Sequence, residues 1–243
     1  MSLRLLVDAG NSRVKWVVVD GETWSTPGQA CYDDLTGFSA SLRPGMCVYL
    51  ACVASDAQRA RLYGCLNAVR LTVHELRAGE RFGALENGYA QPGQLGVDRW
   101  MALIGARART QSPVLVVSAG TALTVDSLTA SGRFLGGLIV PGRTLMRHAL
   151  QAGAARVGPD RGDKRDFPVC TADAVESGIA EAMAGAVRAQ RDRLARVAGC
   201  MPRCFVTGGD ARDLMASLDW PAEHLPALVL EGMDWAAKKE RTR

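Results

Sequence analysis

Asp8, Gly10, Asn11, Ser12 and Lys15 fall within one short stretch, Asp8-Ala9-Gly10-Asn11-Ser12-Arg13-Val14-Lys15. A turn of Gly with small amide and hydroxyl residues exposes backbone N–H groups and lets a ligand approach closely, as phosphate oxygens require. Asp8 adds a hard oxygen suited to Mg²⁺, directly or through water, and Lys15 a charge partner for a phosphate. Taken alone, such a turn is equally the tip of an ordinary hairpin. A related stretch, Ser118-Ala119-Gly120-Thr121-Ala122, recurs 110 positions further on. Paired turns at corresponding places in two halves could grip a polyphosphate from both sides, and point to nucleotide binding. Neither Gly-Lys-Ser/Thr nor Gly-x-Gly-x-x-Gly occurs, which disfavours the P-loop and Rossmann arrangements.

Phosphoryl transfer also needs a group that orients the attacking hydroxyl and accepts its proton. Asp98 qualifies, at the start of a helix after the Gly-rich approach Tyr89-Ala90-Gln91-Pro92-Gly93-Gln94-Leu95-Gly96. A capping acid in a first helical turn is the plain alternative. Gly208-Gly209 could let a flat adenine ring lie against backbone, or could simply turn the chain into a helix. His74, His148 and His224 have no nucleophile motif beside them and Gly-x-Ser-x-Gly is absent, so triad hydrolysis is poorly supported. The seven Cys are scattered without a Cys-x-x-Cys pair, and Cys200 and Cys204 have no His nearby. Reduced thiols are expected, and no zinc site.

The elements that must position these residues follow from apolar patterning. Leu3–Val7 and Val14–Val19 flank the first turn as a hairpin whose first strand is largely buried, and Val114–Val117 and Leu123–Val125 flank the second. Cys47–Val53 and Phe134–Gly142 read as the third strand of each half. Gly96–Arg109 reads as a helix with Val97, Trp100, Met101, Ile104 and Ala108 on one face. Asp173–Ala198 reads as a longer one, with Asp173 and Glu176 in capping-box spacing and Val197 in its apolar stripe. Two copies of one β-rich unit, each finished with helices, are expected to share one cleft, with halves at 1–111 and 112–243.

The chain has 243 residues, 48% hydrophobic and 22% charged, as in an ordinary globular protein. Its net charge of +4 is too small to argue for a nucleic-acid groove. The basic end, Lys238-Lys239-Glu240-Arg241-Thr242-Arg243, reads as a solvated tail. No apolar run approaches membrane-spanning length, and Asp8 interrupts the start before a secretory core could form, so the expected location is cytoplasmic, with no membrane partner.

With these motifs in order, Asp8–Ser12 with Lys15-Trp16, Pro92–Trp100, Ala119–Ala122, and Gly136-Gly137 with Pro141-Gly142, the chain resembles the type III pantothenate kinases, a family that includes proteins first described as Bvg accessory factors. The likeness runs from residue 3 to about residue 210, and Gly96-Val97-Asp98-Arg99 is its most specific part. It implies an α/β, actin-like fold of two ribonuclease-H-like halves, in the superfamily of acetate and sugar kinases and Hsp70. It also implies ATP- and Mg²⁺-dependent phosphorylation of pantothenate at its 4′-hydroxyl, the first step of coenzyme A synthesis, in a homodimer whose pantothenate pocket involves both subunits. Carried over by motif, Asp8 through Lys15 form the first phosphate loop, with Asp8 organising Mg²⁺. Tyr89, Gly96, Val97, Asp98 and Arg99 line the pantothenate site, Asp98 as proton acceptor and Arg99 near the substrate carboxylate. Gly120 and Thr121 contact ATP, Gly208 and Gly209 belong to the adenosine region, and Thr171 matches a distal pantothenate contact.

One departure concerns Ser118, which stands where the family usually has an Asp tied to a monovalent cation, K⁺ or NH₄⁺. Losing that carboxylate removes the charge that would hold a weakly bound cation, although a hydroxyl and backbone carbonyls can still coordinate one. Reduced or absent dependence on K⁺ or NH₄⁺ is therefore expected. The alternatives are a nucleotide-binding regulatory or accessory protein with weak or no kinase activity, against which the intact Asp8 and Asp98 argue, and a sugar or acetate kinase of the same superfamily.

Overall fold

The computed structural model describes residues 3–154 and 156–240, with backbone only for Glu240. Two compact units emerge: the described parts of Met1–Arg109 with Ala227–Arg243, and Thr110–Pro226. The first contains β1 (Arg4–Ala9), β2 (Arg13–Asp20), β3 (Thr23–Trp24), β4 (Gly28–Cys31), α1 (Thr36–Ser41), β5 (Cys47–Cys52), α2 (Asp56–Ala68), β6 (Thr72–Glu75), the hairpin β7 (Arg81–Phe82) and β8 (Leu85–Asn87), a 3-10 turn (Pro92–Gln94) and α3 (Val97–Arg109). The second contains β9 (Val114–Ala119), β10 (Ala122–Leu128), β11 (Arg133–Pro141), α4 (Arg143–Gly153), α5 (Thr171–Ala198), β12 (Arg203–Thr207), α6 (Ala211–Met215) and β13 (Glu223–His224). The last helix, α7 (Leu228–Glu240), belongs to the first unit. Among the described residues no helix is long and apolar enough to cross a membrane.

The two units repeat one topology. The first sheet runs β3-β2-β1-β5-β6 with β4 also on β2, and the second unit's strands run β11-β10-β9-β12-β13. In both, an antiparallel hairpin is followed by two strands added in parallel. Backbone bonds recur in step. Cys47 N–H reaches the Leu3 carbonyl at 3.0 Å, as Arg203 N–H reaches that of Pro113 at 2.9 Å. Leu76 N–H reaches the Leu50 carbonyl, and Leu225 N–H that of Val206, both at 2.8 Å. At the hairpin tips Gly10 N–H bonds the Arg13 carbonyl and Gly120 N–H that of Ala122, both at 3.1 Å. This doubled ribonuclease-H-like plan makes the chain an actin-like α/β protein.

Strand alternation sorts the first sheet's side chains. Leu5, Val7 and Ala9 join Val48, Leu50, Phe38, Leu62 and Leu66 in a core under α1 and α2. Arg4, Leu6 and Asp8 consequently point to the opposite face, where α3 and α7 pack and Arg4 ion-pairs with Asp234 of α7 at 3.0 Å. In the second unit Leu115, Val117 and Ala119 pack with Ile179, Met183 and Val187 of α5.

Several expectations are corrected. The boundary at 111/112 leaves the C-terminal helix in the second half, whereas α7 packs with α3 in the first unit. Cys47–Cys52 is not the counterpart of β11, because β3 and β4 occupy that place beside β2, and the partner of β5 is β12. No capping box forms on α5: the helix starts at Thr171, Asp173 accepts the Asp163 N–H at 2.8 Å, and Glu176 is engaged by arginines. Val197 is exposed near the end of that helix. Lys238 and Lys239 form no solvated tail. Lys238 bonds Glu22 at 2.5 Å and Asp234 at 3.0 Å, and Lys239 lies over the Phe82 ring, while Arg241–Arg243 fall outside the described residues.

The α3–α7 contact depends on two glycines. A Cβ on Gly232 would come within 1.8 Å of the Met101 carbonyl oxygen, and one on Gly105 within 2.5 Å of that of Leu228. Only residues without a side chain allow this backbone approach. Gly232→Ala is expected to cost about 1–3 kcal/mol through overpacking, measured by urea unfolding. Gly185→Ala is the control: Gly185 lies within α5 with open space around it, so alanine there is neutral or adds up to about 1 kcal/mol.

Candidate active site

The first unit gathers a set of ionisable groups at the end of β1. Asp8 stands opposite Lys15 in the antiparallel register and beside the small Ala51 in the parallel one. The residue as a whole is half-buried, and burial of its carboxyl pushes it up to about 7, with Lys15 pulling it down and the charge of Asp98 pushing it further up. The charge of Asp98 therefore reaches Asp8, as expected for a strand residue facing α3 and an acid in the first turn of that helix. Ala9 and Val14 are buried beneath the turn, while Asn11, Ser12 and Arg13 are exposed. The tip is held from outside the hairpin: the Tyr32 hydroxyl donates to the Gly10 carbonyl at 2.7 Å, and Gln58 Nε2 donates to the Asn11 carbonyl at 2.8 Å.

Asp98 accepts the N–H of Arg99 on Oδ1 at 2.8 Å. A Cβ on Gly96 would meet that same oxygen at 2.7 Å, which accounts for glycine at the helix entrance. Burial raises the Asp98 carboxyl, opposed by the Arg99 N–H and guanidinium. Arg99 is buried and donates to the Tyr89 hydroxyl at 2.9 Å, its guanidinium 5.7 Å from the Tyr89 ring centre. Val97 is buried in the same turn. The loop bearing Tyr89 is pinned by buried Asn87, which accepts the Tyr89 N–H at 3.1 Å and donates to the carbonyls of Gly79 at 3.1 Å and Pro92 at 3.2 Å.

In the second unit Ser118 takes the place that Asp8 holds in the first, with Thr124 and Thr207 as its register partners. The Thr121 carbonyl accepts the Gly142 N–H at 2.9 Å. Gly208 has a positive φ of 101°, and a Cβ there would lie 2.1 Å from the Ala119 carbonyl oxygen. That glycine serves the crossing of two strand ends, whereas Gly209 faces open space.

The family model of type III pantothenate kinases matches residues 4–193 of this sequence. The chain belongs to this family. Among curated relatives, a type III pantothenate kinase from Thiobacillus denitrificans is 48% identical over 97% of this chain and 96% of its own length. One from Chromobacterium violaceum is 41% identical over 95% and 98%. Among solved structures, a Baf family protein from Campylobacter jejuni superposes with a TM-score of 0.63 at 23% identity, covering 98% of this chain and all of that one, a likeness of fold.

Set in the type III pantothenate kinase family, the expected site residues divide by unit. Asp8 to Lys15, Tyr89 and Gly96 to Arg99 lie in the first, and Ser118, Gly120, Thr121, Thr171, Gly208 and Gly209 in the second. Thr171 is exposed at the start of α5 and lines a cavity of about 230 Å³ with Arg147 and Arg156. Tyr32, Gln58 and Asn87 escaped the sequence reading. A lone Tyr after a strand carries no signal, and Gln58 already has a local explanation in the capping box with Ser55.

Beside these positions, a cavity of about 220 Å³ in the second unit is lined by Arg143, Glu176, Met183, Asp210 and Leu214 among others. Buried Glu176 takes hydrogen bonds from Arg143 and Arg147, and Arg143 also reaches Asp213. Burial alone would raise the Glu176 carboxyl, but the two arginines outweigh it and hold it below 4.5. A carboxyl depressed in the folded state contributes stability above its unfolded value, and loses it as pH falls through the folded one. Glu176→Gln is expected to lower unfolding free energy at pH 7 by about 1.5–3 kcal/mol. That deficit shrinks at pH 3 in urea titrations; an equal deficit at both pH values assigns the loss to packing instead of charge.

Proposed function

We propose that the chain transfers the γ-phosphoryl group of ATP to the 4′-hydroxyl of pantothenate, giving 4′-phosphopantothenate and ADP. The family membership carries this reading, and the pairing of Asp8 with Asp98 on one face of the first unit supports it. The hydroxyl oxygen forms the new bond to phosphorus as the bond to the β-phosphate oxygen breaks, and the hydroxyl proton passes to Asp98. Burial makes that carboxyl a better base than an ordinary aspartate. Arg99 is assigned to the pantothenate carboxylate and Tyr89 to steadying Arg99, with Gly96 and Val97 lining the site and Thr171 making a distal contact. The first phosphate loop, Asp8 to Lys15, is assigned to the phosphates, as are Gly120 and Thr121. Gly208 and Gly209 are assigned to the adenosine end.

Asp8 fits a divalent ion. Burial pushes its carboxyl to about 7, so a neighbouring cation would favour the ionised form. Mg²⁺, when bound, supplies neutralisation of the phosphate charge. Ser118 does not fit a monovalent cation in the same way, since its register partners are threonines. A cytoplasmic setting belongs to the same reading. A homodimer is part of the same reading, by family membership.

Coupled ADP release that requires both Mg-ATP and pantothenate tests the activity; ATP binding with no pantothenate-dependent release overturns it. Asp98→Asn keeps size and removes basicity, and kcat is expected to fall about 10²- to 10⁴-fold. Near wild-type turnover would show that another group accepts the proton. With Na⁺-free buffer as reference, added KCl is expected to leave the rate within about twofold, less than 0.5 kcal/mol of barrier; a many-fold rise would show that Ser118 still holds the cation.

A further inference from the structure

The amides of a phosphate loop act only if their peptide planes face the ligand. Gly10 is conformationally permissive, and Asn11 and Ser12 stand exposed at the hairpin tip. Two side chains from outside the hairpin supply the missing direction. Tyr32, the residue after β4, is buried and donates its hydroxyl to the Gly10 carbonyl at 2.7 Å. Gln58, in the first turn of α2, donates Nε2 to the Asn11 carbonyl at 2.8 Å.

The orientation of the Gln58 amide is itself fixed. Its Oε1 accepts the backbone N–H of Ser55 at 3.0 Å, a group that can only donate, so the nitrogen must face the loop. The Ser55 hydroxyl adds a second bond to Oε1 at 3.0 Å. In a trans peptide the carbonyl and the following N–H point in opposite directions. Drawing the Gly10 carbonyl to Tyr32 therefore turns the Asn11 N–H away from Tyr32, and drawing the Asn11 carbonyl to Gln58 sets the plane of the next peptide. In the second unit the comparable task falls to backbone, where Gly142 N–H holds the Thr121 carbonyl at 2.9 Å.

We infer that Tyr32 and Gln58 are positioning residues that hold consecutive peptides of the first loop with their amides turned toward the phosphates of ATP. This rests on the kinase reading, and neither side chain touches substrate or takes part in proton transfer. A merely structural role would lower thermal stability and leave nucleotide affinity alone.

Tyr32→Phe and Gln58→Ala separate the two. In each, the KM for ATP and the Kd for a non-hydrolysable ATP analogue, by calorimetry, are expected to rise about five- to tenfold, the size of one hydrogen bond's net contribution. The KM for pantothenate stays within about twofold on the same grounds. The double variant is expected to depart from the product of the single effects, because the two bonds fix adjacent peptides. A lowered Tm with unchanged analogue Kd in both variants overturns the positioning role. Should Tyr32→Phe fold poorly, Gln58→Ala carries the test alone. If the wild-type chain binds the analogue but releases no ADP with pantothenate, the kinase reading fails, while the analogue Kd still decides the role of Tyr32 and Gln58.

Discussion

The structure is organised around a carboxylate at the end of a buried strand. Alternation along β1 sends Leu5, Val7 and Ala9 into the core beneath α1 and α2, and leaves Asp8 on the face under α3 and α7. An ionised group there is costly unless something opposes its desolvation. The sequence answers with Lys15 directly across the hairpin, while the small Ala51 stands on the other side. Even so the carboxyl stands near 7, because Lys15 offsets only part of the burial and Asp98 adds repulsion. A site left in that condition favours the arrival of a cation, which converts an electrostatic penalty into binding. The position of Asp98, and with it the repulsion, depends in turn on α3, whose approach to α7 two glycines make possible.

Duplication makes the specialisation of the halves visible. The backbone bonds that fix strand offsets recur nearly unchanged in both units, so the frame does not depend on which side chains decorate it. At the equivalent position one unit carries Asp8 with Lys15, and the other Ser118 with Thr124 and Thr207. Charge is thus concentrated in one loop and removed from the other. The same division extends to how each tip is held, by the side chains of Tyr32 and Gln58 in the first and by the Gly142 backbone in the second.

How much of this was legible in the sequence follows the range of each interaction. Both hairpins, α3 and most of α5 were readable because their patterns are local, and so were the places of Asp8 beside a hairpin turn and of Asp98 in a first helical turn. The return of α7 to the first unit was not, since the signal is a pair of glycines, Gly105 and Gly232, far apart in the chain and each unremarkable where it stands. Glu176 was misread as half of a capping box for a related reason: its spacing from Asp173 suited one, but arginines on α4 claimed it first. Gly208 reads in the sequence as room for a ligand or as a turn into a helix, and the Ala119 carbonyl at its back gives the glycine a further reason that only the fold displays. Asn87, Tyr32 and Gln58 act through carbonyls, and a carbonyl leaves no mark in a sequence.

On the proposed reading, in which Asp98 accepts the hydroxyl proton, that carboxylate has to meet two opposed demands. A proton acceptor gains strength as its pKa rises, but it must be ionised before the reaction begins. Burial pushes Asp98 upward, in the direction of the neutral acid. The Arg99 N–H on Oδ1 and the Arg99 guanidinium favour the charged form and restrain the rise. Arg99 can play this part only while it is buried in a fixed place, and Tyr89 fixes it by accepting from Nη1 and covering it with an aromatic face. Tyr89 in turn depends on Asn87, which ties its loop to two carbonyls. The basicity of one carboxylate is thus set through a sequence of neutral and cationic groups, each held by the next, and it ends on an asparagine that contacts neither Asp98 nor Arg99 in any of these bonds.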